Sequence, residues 1–176
     1  MIQFINPVAE CMVVPNPYTL GVDFSKSLKI ALVINKIVDC DVFMQHVGES
    51  LREHHPNIEL HTFFTERITF ADSALIDSIA SECDAAVCAI GHCGSCTAGT
   101  VKDAIALVER GVPAVSLITD VFWQQGGELA RSLGWPEFPR VRLPYPIWGT
   151  GESSMREVAA SIVHDVKRAL SASSYA

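Results

Sequence analysis

The sequence predicts an α/β domain in which a parallel sheet of four or five strands carries helices on both faces. Two observations predict it. Short apolar runs recur at Leu28 to Ile34, Ala85 to Ile90 and Pro113 to Ile118, without the alternation of a half-exposed strand. Between and after them lie stretches whose apolar residues return every three or four positions, as on one face of a helix.

Residues 1–27 come first and are read as an irregular arm, because Pro7, Pro15 and Pro17 interrupt any periodicity and Asn16-Pro17 signals a turn. The arm is expected to lie on the domain or on a partner subunit. Residues 28–176 form the single α/β domain. Leu28 to Ile34 is the first strand. Asp41 is read as the cap of a helix carrying Phe43, Val47 and Leu51, which should end before Pro56. Ile58, Leu60 and Thr62 alternate with polar residues and lead into Phe63-Phe64, a second strand. Asp72 caps a helix with Leu75, Ile76 and Ile79 on its face, and Ala85 to Ile90 is the third strand. A helix carrying Val101, Ala104, Ile105 and Val108 stops at Gly111. The fourth strand follows, then a helix from about Asp120 to Leu133 and a short fifth strand at Val141 to Leu143. Ser154 and Glu157 read as a capping box for a last helix bearing Val158, Ile162, Val163, Val166 and Leu170.

Right-handed crossovers leave few arrangements, and the flavodoxin-like order 2-1-3-4-5 is the first choice. In that order the chain reverses direction across the sheet between strands 1 and 3, and ligands bind beyond the C-terminal ends of those strands. The loop beginning Asn35-Lys36, the loop after strand 3, and Thr119-Asp120 after strand 4 are therefore expected to meet there.

Composition narrows the function. A chain of 176 residues that is 49% hydrophobic suits one domain with a sizeable core. The net charge of −7 and the lack of a basic block argue against nucleic acid as a partner. No apolar run is long enough to cross a bilayer, and no signal-peptide pattern is present, so the expected location is cytoplasmic. Six cysteines in such a compartment should be mostly reduced.

The chemistry concentrates in Gly91-His92-Cys93-Gly94-Ser95-Cys96. Cys93 and Cys96 make a C-x-x-C pair at a strand-to-helix turn, close enough to form a disulfide. Unpaired N–H groups and the helix dipole favour a thiolate there. A thiolate is the nucleophile both in thiol exchange and in attack on a substrate. Lys36, or a protonated His92, would favour the thiolate further. Two other readings stay open: a metal half-site, to which His92 and Cys88 would add ligands, or buried small residues. Against the metal stands the lack of a second C-x-x-C or His pair, and Cys88 reads as mid-strand packing. Lys36 is equally readable as a solvated loop lysine, Asp120 as a helix cap, and Thr97 as a first-turn residue. His46, His54, His55 and His61 have no ligand spacing and read as surface residues, with His61 partly buried. Trp123, Trp135 and Trp148 read as packing residues, with Trp123 a candidate pocket wall, and Leu143-Pro144-Tyr145-Pro146 as a rigid rim or dimer contact. Cys11, Cys40 and Cys83 have no partner that the sequence names. No G-x-G-x-x-G or Walker lysine motif is present, so nucleotide binding has no positive signal and no cofactor is expected, although the fold by analogy alone would admit a flavin.

The stretch from Ala89 through Gly91-His92-Cys93-Gly94-Ser95-Cys96-Thr97, with Val101-Lys102-Asp103-Ala104-Ile105 and Gly111-Val112-Pro113, resembles the UGSC family, named for selenocysteine-Gly-Ser-Cys. Leu32 to Lys36 and Thr119 to Phe122 resemble other segments of that family, so the likeness covers residues 28–146. More distantly, the cysteine loop is similar to the selenocysteine-bearing B component of glycine reductase. The resemblance implies a nucleophilic Cys93 and a resolving Cys96, because selenocysteine serves where a strong, low-pKa nucleophile is needed. His92 departs from the family pattern, where an acidic residue is usual, and implies a base, a thiol-tuning group or a different substrate. The expectation is a thiol-dependent enzyme. Cys93 attacks a small electrophilic or reducible substrate and Cys96 resolves the adduct, while His92, Gly94, Ser95, Thr97, Asn35, Lys36, Thr119 and Asp120 contact the substrate. A non-redox lyase or transferase, and a metal-binding or redox-sensing module, are the alternatives. Expected partners are a thioredoxin-type or small thiol reductant and a second copy of the chain, with no membrane.

Overall fold

The computed structural model describes residues 13–66 and 71–171. Its strands are β1 (Leu28–Ile34), β2 (Ile58–Phe64), β3 (Ala85–Gly91), β4 (Ala114–Thr119) and β5 (Arg140–Leu143). Its helices are α1 (Cys40–His54), α2 (Ser73–Glu82), α3 (Gly94–Val108), α4 (Trp123–Ser132) and α5 (Glu152–Ser171), with a 3-10 turn at Asp120–Phe122 before α4. The sheet is parallel throughout, in the order β2-β1-β3-β4-β5. That is the flavodoxin-like arrangement, with its switch point between β1 and β3.

The alternation of side chains across each strand builds two cores. Ile30, Leu32 and Ile34 of β1, Val87 of β3, and Leu117 of β4 face α1 and α5. Ala31, Val33, Cys88 and Ile118 face α2, α3 and α4. Every residue of β3 and β4 is buried, which explains why these strands read as unbroken apolar runs.

Local signals set the helix ends, in some cases differently from the sequence expectation. Asp72 does cap α2, its carboxylate accepting Leu75 N–H at 2.8 Å. Gly111, at φ +83°, closes α3: Val112 N–H reaches Leu107 O at 3.0 Å and Gly111 N–H reaches Val108 O at 2.9 Å. Asp41, however, lies inside the first turn of α1. The residue before that helix is Asp39, in the left-handed region, and its carboxylate instead accepts Gly149 N–H at 3.0 Å. Ser154 is likewise inside α5, which starts at Glu152, so the capping box does not form.

Residues 13–27 contain no helix or strand and run along the domain rather than away from it. Asn16 N–H donates to Gly134 O and Val22 N–H to Leu170 O, and Tyr18 is buried edge-on against Phe138. Residues 1–12, including Cys11, lie outside the described residues. Among those described, no helix is long and apolar enough to cross a membrane.

Candidate active site

The sheet's C-terminal edge brings four connections together, and hydrogen bonds between them fix their relative positions. Asn35, just past β1, donates from Nδ2 to Ile90 O (3.0 Å) and Thr100 Oγ1 (3.2 Å), which ties β1 to β3 and α3. Thr119 at the end of β4 donates to Gly91 O at 2.9 Å. Gln125 of α4 donates to Gly94 O at 3.0 Å. The β5–α5 connection is held from two sides, by Asp39 and by His92, whose Nε2 accepts Ile147 N–H at 3.0 Å. The loops after β1 and β3 therefore meet as the strand order requires, with Thr119 beside them.

The register of β3 on β4 shifts between Cys88 and Gly91, which inserts an extra residue just before the loop. Such bulges re-aim side chains next to functional sites. Beyond it, Cys93 adopts the extended backbone of an N-cap and α3 begins at Gly94. Cys93 and Cys96 form a disulfide, with Cα atoms 5.1 Å apart. The backbone N–H of Cys96 points at Cys93 Sγ, with N and S 3.2 Å apart. Cys93 thus occupies the place of a capping acceptor, and its sulfur receives a donor at the positive end of a fifteen-residue helix. Burial separates the two sulfurs: Cys93 is half-buried and Cys96 is fully enclosed. The Ser95 hydroxyl, exposed, lies 3.5 Å from Cys93 Sγ.

Thr97 is buried and donates from Oγ1 to Cys93 O at 2.7 Å, so it fixes the turn from inside the domain. A Cβ on Gly91 would come within 3.0 Å of that hydroxyl, which is why this position is a glycine. Lys36 and Asp120 are exposed on the same edge. Asp120 accepts Val121 N–H at 2.7 Å, while the residue preceding the 3-10 turn is Thr119, so Asp120 is not a helix cap.

His92 requires a correction. Its Nε2 is a hydrogen-bond acceptor, so the ring is neutral with its proton on Nδ1, and burial holds its pKa below the ordinary histidine value. It therefore supplies no positive charge to the neighbouring thiol. Its ring stacks on Trp148 (centroids 3.7 Å apart) and Tyr145 (4.6 Å), fastening the β5–α5 loop to the end of β3. Two buried polar atoms here have no protein partner, His92 Nδ1 and Asn35 Oδ1, the first a donor and the second an acceptor. His46, expected at the surface, is also buried, with Nδ1 3.0 Å from Glu49 Oε2.

The remaining described cysteines are packing residues. Burial pushes the Cys40 thiol up to about 12 and the Cys83 thiol up to about 11, and raises that of Cys88 well above its ordinary value. Among the described residues, no group of three or more His, Cys, Asp or Glu side chains is placed to hold a metal ion. Sequence reasoning missed Gln125 and Thr100 as supports of the loop. No motif marks them, and only the packing of α4 and the interior face of α3 reveals their role.

The sequence model of the UGSC family matches residues 5–172. No curated protein matches the chain. Among solved structures, the flavodoxin-like domain of a Synechococcus sp. protein aligns with 80% of this chain and 99% of its own, at 11% identity and a TM-score of 0.41.

Proposed function

This chain belongs to the UGSC family, and we propose that it is a thiol-dependent enzyme that reduces a small electrophilic substrate with the Cys93–Cys96 pair. The observation that carries the reading is the Cys96 N–H donated to Cys93 Sγ at 3.2 Å, on the half-buried sulfur of the pair. A donor at a helix N-terminus stabilises a thiolate more than a thiol, and the thiolate is the attacking species.

The reaction runs in two displacements. The Cys93 thiolate attacks atom X of a polarised bond X–Y. An S–X bond forms, and Y leaves with the bonding pair and takes up a proton. The Cys96 thiolate then attacks Cys93 Sγ. The disulfide forms, and X leaves with the S–X pair and is protonated. Two electrons pass from the dithiol to the substrate, and a small thiol or a protein dithiol restores the dithiol. The enclosed Cys96 suits the resolving role, since it is shielded from solvent and bonded to Cys93. Substrate contacts fall to Ser95, Lys36 and Asp120 on the exposed edge. Asn35 and His92 lie buried behind them, Asn35 bonded to Ile90 O and Thr100 Oγ1 and His92 to the Ile147 N–H. Thr97, Thr119 and Gly94 hold the loop by the bonds described above.

The test is Cys96→Ser with a panel of reducible small molecules. The variant should accumulate a covalent adduct on Cys93, visible by intact mass, and lose turnover by about a hundredfold or more, as expected when a transition-state interaction is removed. Full turnover by Cys96→Ser would overturn the redox reading in favour of a lyase or transferase.

A further inference from the structure

Beside the cysteine pair lies a surface whose exposed side chains the thiol chemistry does not use. Trp123, the first residue of α4, carries two guanidinium groups on its ring: Arg140 at 4.2 Å and Arg142 at 4.6 Å from the centroid. Arg140 is half-buried, lies against Gly127, and donates from Nη1 to Trp123 O at 2.8 Å. Arg142 is exposed and, among the described residues, makes no ion pair. Glu137 is the acid that faces Arg140. Next to these, Val121 is 63% exposed and Tyr145 47% exposed.

The patch adjoins the disulfide through two contacts. Gln125, two residues past Trp123 on α4, bonds Gly94 O inside the cysteine loop. Tyr145 stacks on His92, the residue before Cys93. Trp123 is half-buried against the core, while Val121, Tyr145 and Arg142 are exposed around it, and Trp, Tyr and Arg with a neighbouring aliphatic residue are the composition of interface hot spots. Their charge runs against the whole: the chain carries −7, yet this edge presents two arginines. Such a local field steers an acidic partner toward one orientation.

We propose that the Val121–Trp123–Arg142–Tyr145 surface docks an acidic protein dithiol that reduces the Cys93–Cys96 disulfide. The inference rests on the redox reading above and names its electron donor by class. A partner thiolate attacks Cys93 Sγ, on the less buried residue of the pair. The intramolecular disulfide breaks, and Cys96 leaves with the pair and takes up a proton. The partner's second thiolate attacks its own half of the mixed disulfide and releases Cys93. Two electrons move from the partner to this chain, Cys96 takes up one proton while Cys93 is released as the thiolate, and the partner keeps the new disulfide.

The experiment follows reduction of the oxidised full chain by thiol titration, using either an acidic thioredoxin kept reduced by its reductase and NADPH, or dithiothreitol. Arg142→Glu should lower the second-order rate with thioredoxin by about tenfold at low ionic strength, and high salt should close the gap. Arg142→Ala should give a smaller loss in the same direction. The rate with dithiothreitol should not change in either variant. An unchanged thioredoxin rate in Arg142→Glu, or an equal loss with both reductants, would overturn the docking surface and leave the thiol reading intact. A wild-type disulfide that resists both reductants would overturn the two together.

Discussion

His92 Nε2 accepts the backbone N–H of Ile147 at 3.0 Å, so the imidazole next to the reactive pair is a structural clamp in its neutral form. Burial lowers its pKa. As pH falls through the unfolded histidine value of about 6.5, the unfolded chain takes a proton that the folded chain refuses. The stability His92 contributes is therefore complete above about 6.5 and is lost as pH falls below it. Thermal melts from pH 7.5 to 5.5 should show a downward slope that is shallower in His92→Gln. His92→Phe, which leaves the Ile147 N–H buried without an acceptor, should cost about 1–3 kcal/mol at pH 7.5. Identical slopes in wild type and His92→Gln would show that the ring is not held neutral.

Among the described cysteines, selective alkylation of the reduced protein is expected at Cys93. Burial pushes Cys40 up to about 12 and Cys83 up to about 11, with Cys88 also raised, so none forms thiolate near neutral pH. Cys93 has a helix N–H directed at its sulfur and is open to reagent. Iodoacetamide at pH 6.5, followed by peptide mass analysis, should modify Cys93 first and by at least about tenfold over Cys40, Cys83 and Cys88, in line with the thiolate fractions. Equal labelling of Cys93 and Cys40 would defeat the helix-end argument.

Asp103 offers a stability test with the opposite sign. It lies on the inner face of α3, where its carboxylate accepts Ala71 N–H at 2.7 Å, and burial pushes its pKa up to about 6. Lys102 and Arg110 line the adjoining cavity of about 340 Å³, and Cys88 faces the carboxylate from β3. A raised folded pKa gives stability that is complete below about 4 and is lost as pH rises through about 6. Asp103→Asn keeps an acceptor for Ala71 and removes the titration. It should be more stable than wild type by about 1–3 kcal/mol at pH 7.5, with the advantage gone near pH 4. Denaturant melts at the two pH values check it, and a variant less stable at pH 7.5 would contradict the burial argument.

The sequence by itself determined the strand order, because three apolar runs, one alternating strand and one short strand, separated by helix-period stretches, leave a right-handed parallel sheet few alternatives. It also determined where the cysteines sit, since a C-x-x-C between the apolar run Ala85 to Ile90 and the helix closed at Gly111 has only the head of that helix to occupy. Tertiary packing decided the rest. His92 could be read as a charged neighbour until the β5–α5 loop, some 55 positions away, supplied the N–H that makes its ring an acceptor. Asp39 in place of Asp41 at the start of α1, and the burial of His46, likewise depend on contacts made across the sheet edge and between α1 and α5. Local patterns register what each residue does within one turn of chain. The protonation, exposure and partners of a side chain are set by atoms that folding brings from elsewhere, and no spacing in the sequence encodes those.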